Sequence, residues 1–138
     1  SRGASPGNRF EPGKKPMSTM APTIIFDENN ELFLITGSPG GSDIPAAILR
    51  VITGVIDFDL DIGEATMLPR IHKDWPYVGL EHERAVSRDI VRRLKSMGHK
   101  TEYENTIGST QSIHVINGTN YGFADLRRPN AGVSVQTN

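Results

Sequence analysis

The stretch from Leu32 to Ile56 constrains the fold most. An unbroken apolar run, Leu32 to Thr36, enters the turn Gly37-Ser38-Pro39-Gly40-Gly41-Ser42, after which Ile44, Ala47, Ile48, Val51, Ile52, Val55 and Ile56 recur at helical spacing. Strand, tight turn and helix are therefore predicted in direct succession. Ser42 or Asp43 suits the helix N-cap, and Gly54 weakens the helix only slightly. Thr23 to Phe26 is β-branched and apolar, and the turn cluster Asp27-Glu28-Asn29-Asn30 separates it from the Leu32 run. The two runs predict a hairpin whose strands are covered on both faces.

The flanking segments follow from local rules. Pro6, Pro12, Pro16 and Pro22 exclude helix and strand from residues 1 to 22, an extended lead-in, and residues 23 to 138 make up the folded remainder. Asp61 with Glu64 predicts a capping box on a short helix that Pro69 stops. Residues 70 to 86, with Trp75-Pro76 and Gly79, read as irregular. Ser87 caps a helix with Ile90, Val91, Leu94 and Met97 on one face and Gly98 at its left-handed end. His99 to Tyr103 predicts a strand. Ser112 to Ile116 and Thr119 to Phe123, joined by Asn117-Gly118, predict a type I′ hairpin. The polar tail from Arg127 is expected to fray. This order, without an internal repeat, predicts an α+β fold rather than a parallel doubly wound sheet.

Charge and composition exclude several functions. Fifteen Lys+Arg against 16 Asp+Glu give a net charge of −1, too balanced for a surface that captures nucleic acid. Cysteine is absent, which removes disulfides, thiolate nucleophiles and Cys-based zinc sites. No apolar run reaches the roughly 18 residues of a membrane span. Asp57, Asp59 and Asp61 alternate, but Ile62 and Leu68 stand where a calcium loop needs Gly and Glu. Glu81-His82-Glu83 and the scattered His72, His99 and His114 lack metal-ligand spacing, so neither metal nor cofactor is expected. Arg88, Arg92, Arg93 and Lys95 read as the wet side of a helix, and His72 and Trp75 as packing residues.

The chemistry, if any, centres on the glycine turn. Adjacent glycines at the mouth of a helix aim N–H groups together and add the positive end of the helix dipole. Three readings stay open: a phosphate site, although the P-loop Lys and the spaced glycines of a dinucleotide loop are missing; an oxyanion hole; or a plain turn.

Pro16-Met17-Ser18-Thr19-Met20-Ala21-Pro22-Thr23, Thr36-Gly37-Ser38-Pro39-Gly40-Gly41-Ser42 and Gly108-Ser109-Thr110-Gln111-Ser112-Ile113 resemble small-subunit blocks of the γ-glutamyltranspeptidases, or glutathione hydrolases. Asn8 to Pro16, Glu64 to Trp75 and Tyr121 to Arg128 resemble neighbouring blocks in the same order. The resemblance implies half of an αββα sandwich of the N-terminal-nucleophile hydrolase type. It also implies autoprocessing of a zymogen into two subunits, after which the new N-terminal Thr attacks a γ-glutamyl amide and passes the glutamyl ester to water or an acceptor.

By the same resemblance, Gly40 and Gly41 correspond to the oxyanion-hole glycines, and Ser18 and Thr19 to the Ser-Ser pair that binds the substrate's α-carboxylate. Thr19 departs from the family in carrying a methyl. Asp43 stands where an Arg is common, and Leu126 where Pro is usual in an Asp-Pro-Arg stretch. The family's catalytic Thr lies several dozen residues before the Ser-Ser pair, whereas 17 residues precede Ser18. The nucleophile is therefore expected outside this chain, which opens on Ser1 as a piece of a larger protein would. Ser1, in a segment without strand character, reads as a boundary rather than a nucleophile.

The expected partners are a large subunit, the missing N-terminal part of the small subunit and a small γ-glutamyl substrate. An extracytoplasmic location is suggested by the family alone. The alternatives are a non-catalytic relative with a binding or structural role, and an acylase of the same superfamily acting on another amide.

Overall fold

The computed structural model describes residues 6–76 and 79–134. In chain order its elements are β1 (Thr23–Phe26), β2 (Leu32–Gly37), α1 (Ile44–Ile56), α2 (Ile62–Met67), β3 (Ile71–His72), β4 (Gly79–His82), α3 (Arg88–Ser96), β5 (Lys100–Tyr103), β6 (Gln111–Ile116) and β7 (Thr119–Ala124). The α+β expectation holds.

An antiparallel sheet runs in the order β1-β2-β6-β7. Register slips between Ile25 and Phe26, where Ile25 faces Leu34 but Phe26 faces Leu32, leaving Phe33 as the extra residue of a bulge. Asn117 and Gly118 both take positive φ, 50° and 75°, as the predicted turn between β6 and β7 requires. The helices α1 and α2 pack on this sheet around Leu34, Val51, Val55, Ile62 and Ala65. Asp61 and Glu64 form the expected capping box. Gly54 does more than tolerate its helix: a Cβ there would lie 2.9 Å from the Ala65 Cβ, so glycine permits the close α1–α2 crossing.

Three expectations require correction. Residues 70 to 86 are not simply irregular, because β3 and β4 form there and, with β5, make a second sheet in the order β3-β4-β5. Strands of two and four residues carry too little periodicity to register in sequence. The first hairpin is covered on one face: Leu34 and Thr36 are buried, while Ile24 is 59% exposed. The helices lie against a single side of the sheet, so its outer row, Ile24-Ile35-Ile113, is left for other cover. On α3, Ile90 and Met97 of the shared apolar face are exposed. Finally, the tail does not fray from Arg127. That residue is held by ion pairs, and Val133 folds back so closely that a Cβ on Gly122 would meet it at 2.7 Å. The segment 1–5 of the lead-in, including Ser1, and the last residues of the tail, 135–138, lie outside the described residues.

Candidate active site

The turn after β2 is shaped by its own glycines and braced by a distant one. Gly40 has φ 145° and Gly41 φ 64°, conformations that L side chains rarely adopt. Ser38 Oγ donates to the Pro39 carbonyl at 2.7 Å and accepts from the Ser109 N–H at 2.9 Å. This ties the turn to the segment before β6. Gly108 makes that approach possible, since a Cβ there would fall 2.6 Å from Ala47 Cβ and 2.8 Å from Ser38 Oγ. The Asp43 N–H donates to the Gly40 carbonyl at 3.3 Å, and a 3-10 turn over Gly41–Asp43 leads into α1. Gly40 and Gly41 remain exposed, and among the described residues neither N–H meets a protein acceptor. Two backbone donors thus face solvent beside the positive end of a 13-residue helix.

The lead-in comes to the same place. Thr19 Oγ1 donates to the Gly41 carbonyl at 2.7 Å. Ser18 Oγ accepts from the Met20 N–H at 3.2 Å, and the Met17 N–H donates to Asn8 Oδ1 at 3.1 Å. The Thr19–Gly41 bond therefore joins the Ser18-Thr19 segment to the Gly40-Gly41 turn. The two hydroxyls differ, however. Thr19 uses its hydrogen to hold the turn, whereas Ser18 acts as an acceptor within its own segment.

Behind this surface lies a charged network that sequence reasoning missed. Arg70 is 1% exposed and donates to the carbonyls of Thr66 and Ile107, to Thr110 Oγ1 and to Asp125 Oδ2, the last at 2.8 Å. Arg127 grips Glu83 with two bonds of 2.7 Å and reaches Asp125 Oδ1 at 3.1 Å. Glu83 also accepts the N–H groups of Arg70 and Ile107, and Asp125 those of Thr110 and Arg127. The network fixes residues 107 to 110, and with them the glycine that braces the turn. The local sign was Asp125-Leu126-Arg127, in which an Asp accepts an N–H two residues on. The packing role expected of Trp75 is not met among the described residues, for its side chain is 92% exposed.

The network should make stability acid-sensitive. Burial pushes the Asp125 carboxyl up, but the Arg127 N–H, the Arg70 charge and the Thr110 N–H together hold it below the ordinary carboxylate range. Glu83 is also raised by burial, and its bonds from Arg127, Ile107 and Arg70 bring it below its usual value. Groups depressed in the folded state contribute their full stabilisation above the unfolded values, about 4, and lose it as pH falls through the folded ones. Urea midpoints are therefore expected to be level from pH 7 to about 5 and to drop below about pH 4. A midpoint at pH 3 equal to that at pH 7 would contradict this account.

The model of the gamma-glutamyltranspeptidase family matches residues 2–135. The chain belongs to that family. A glutathione hydrolase proenzyme of Escherichia coli is 40% identical over 121 residues, covering 87% of this chain and 21% of the relative. A Bacillus subtilis glutathione hydrolase proenzyme is 35% identical over 137 residues, covering 96% of this chain and 23% of its own length. The chain thus spans about a fifth of these curated relatives. A crystal structure of a Helicobacter pylori gamma-glutamyltranspeptidase mutant superposes with a TM-score of 0.83 at 36% identity, covering 91% of this chain and 69% of that one. The fold of this chain is therefore the N-terminal-nucleophile hydrolase type, as the resemblance implied.

Proposed function

We propose that this chain supplies the oxyanion hole and the α-carboxylate site of an enzyme that hydrolyses or transfers γ-glutamyl groups. One observation carries the reading: the Gly40-Gly41 turn and the Ser18-Thr19 segment, 22 residues apart along the chain, are joined by the Thr19–Gly41 bond. A γ-glutamyl group has a reacting carbonyl at one end and a carboxylate at the other, and this juxtaposition offers donors for both.

In this mechanism the nucleophilic Thr comes from the part of the enzyme beyond this chain. Its hydroxyl oxygen bonds to the γ-carbonyl carbon while its own amine takes the hydroxyl proton. The carbonyl electron pair moves onto oxygen, and the Gly40 and Gly41 N–H groups donate to that oxyanion. Collapse expels the amine, which takes the proton, and leaves a glutamyl ester that water or an acceptor amine cleaves in turn. Ser18 donates its hydroxyl hydrogen to the α-carboxylate. Thr19 acts first on the turn itself, holding Gly41 through its carbonyl. The large subunit and the N-terminal part of the small subunit complete the site.

Ser18→Ala in the full-length enzyme is expected to raise KM for a γ-glutamyl anilide by roughly 10- to 150-fold with a smaller change in kcat, because a hydrogen bond to a charged group is worth about 1.5–3 kcal/mol. The 138-residue chain alone should show no turnover. Turnover by the isolated chain, or preference of the full enzyme for plain acyl amides, would overturn the assignment.

A further inference from the structure

We propose that Asp43, His72 and Glu81 form a divalent-cation site of the zinc class, which ties the glycine turn to the second sheet. The three residues lie far apart in sequence, and no local spacing joins them. Asp43 ends the 3-10 turn that follows Gly40. His72 and Glu81 are direct cross-strand partners on β3 and β4, which sets their side chains on one face. One donor atom from each lies within 4.8 Å of the other two.

The imidazole is the second, independent observation. The His72 side chain is 9% exposed, and its buried Nε2 has no hydrogen-bond partner. Oxygens are nonetheless close by: Asp43 Oδ1 lies at 3.6 Å and Asp74 Oδ1 at 3.2 Å, neither in hydrogen-bonding geometry. A nitrogen surrounded by carboxylates that do not hydrogen-bond to it is suited to coordinate an ion. Asp43 occupies the N-cap position of α1 yet makes no side-chain cap bond to the helix.

The donor set selects the ion. One imidazole with two or three carboxylates matches a borderline cation such as Zn²⁺, whereas Mg²⁺ and Ca²⁺ favour all-oxygen shells. Ligand bonds of about 2.0–2.2 Å would draw the donors closer than they stand and so cinch the turn against β3 and β4. Because Asp43 also donates its N–H to Gly40, the ion would act on the turn through a single residue.

Zn²⁺ competition against a chromophoric chelator, performed on chelator-stripped full-length protein, tests the site. One equivalent per chain is expected, with affinity at least tenfold weaker in His72→Ala and in Asp43→Asn. Asp57→Asn, at an exposed acid, should leave it unchanged. Zn²⁺ should also raise the Tm of the wild type but not of His72→Gln, a variant that preserves side-chain bulk if the alanine form folds poorly. Absence of saturable Zn²⁺ binding, equal affinity in the His72 variants, or tighter binding of Ca²⁺ than Zn²⁺ would overturn the proposal.

Discussion

Gly40→Ala in the full-length enzyme is expected to lower kcat for a γ-glutamyl anilide by about 10²–10³-fold, the usual loss when one oxyanion donor is displaced. Two effects act together. At φ 145° an L residue is strained by about 1–3 kcal/mol. The new methyl would also press on the backbone of Gly108, whose Cα would lie 3.3 Å away. Relief requires the turn to rotate, and rotation moves the N–H groups away from the developing negative charge. KM should change much less, because the donors act on the transition state rather than on the bound amide. Gly132→Ala is the control, since a Cβ there meets nothing within 4 Å. Full kcat in a folded Gly40→Ala enzyme would remove the turn from the chemistry.

Asp125→Ala is expected to destabilise the protein by about 3–5 kcal/mol, read as a shift of the urea midpoint. Asp125 is fully buried and is the anion nearest the Arg70 guanidinium, which burial already holds below its ordinary pKa. Removing the carboxylate leaves that cation buried without its ion-pair partner, and it also strands the N–H groups of Thr110 and Arg127. Asp125→Asn should fall between the wild type and the alanine form, because the amide keeps the shape and one acceptor. Activity should fall with stability: residues 107 to 110 hang from this network, and Gly108 and Ser109 brace the glycine turn. A midpoint unchanged in Asp125→Ala would show that Arg127 and Glu83 suffice alone.

Much of the local structure was legible because its causes are local. The helical repeat ending at Ile56, the Asp61–Glu64 capping box, the Ser87 cap and the Asn117-Gly118 turn each depend on neighbours within a few residues. The glycine turn was legible for the same reason, and the ordered motif blocks pointed to a family that the match over residues 2–135 confirms. β3 and β4 were not legible, since strands this short exist only by pairing with each other and with β5.

What the sequence alone determined was therefore the set of elements stabilised by period, cap and turn chemistry, together with the position of the glycine turn between β2 and α1. Only the tertiary structure decided which distant residues meet. It set Thr19 on Gly41, buried Arg70 against Asp125, anchored Arg127 where fraying was expected, and gathered Asp43, His72 and Glu81. The physical reason is the range of the forces involved. Helix periods and caps act over three or four residues, whereas buried charges and paired hydroxyls gain their energy from partners that chain folding alone brings within 3–4 Å.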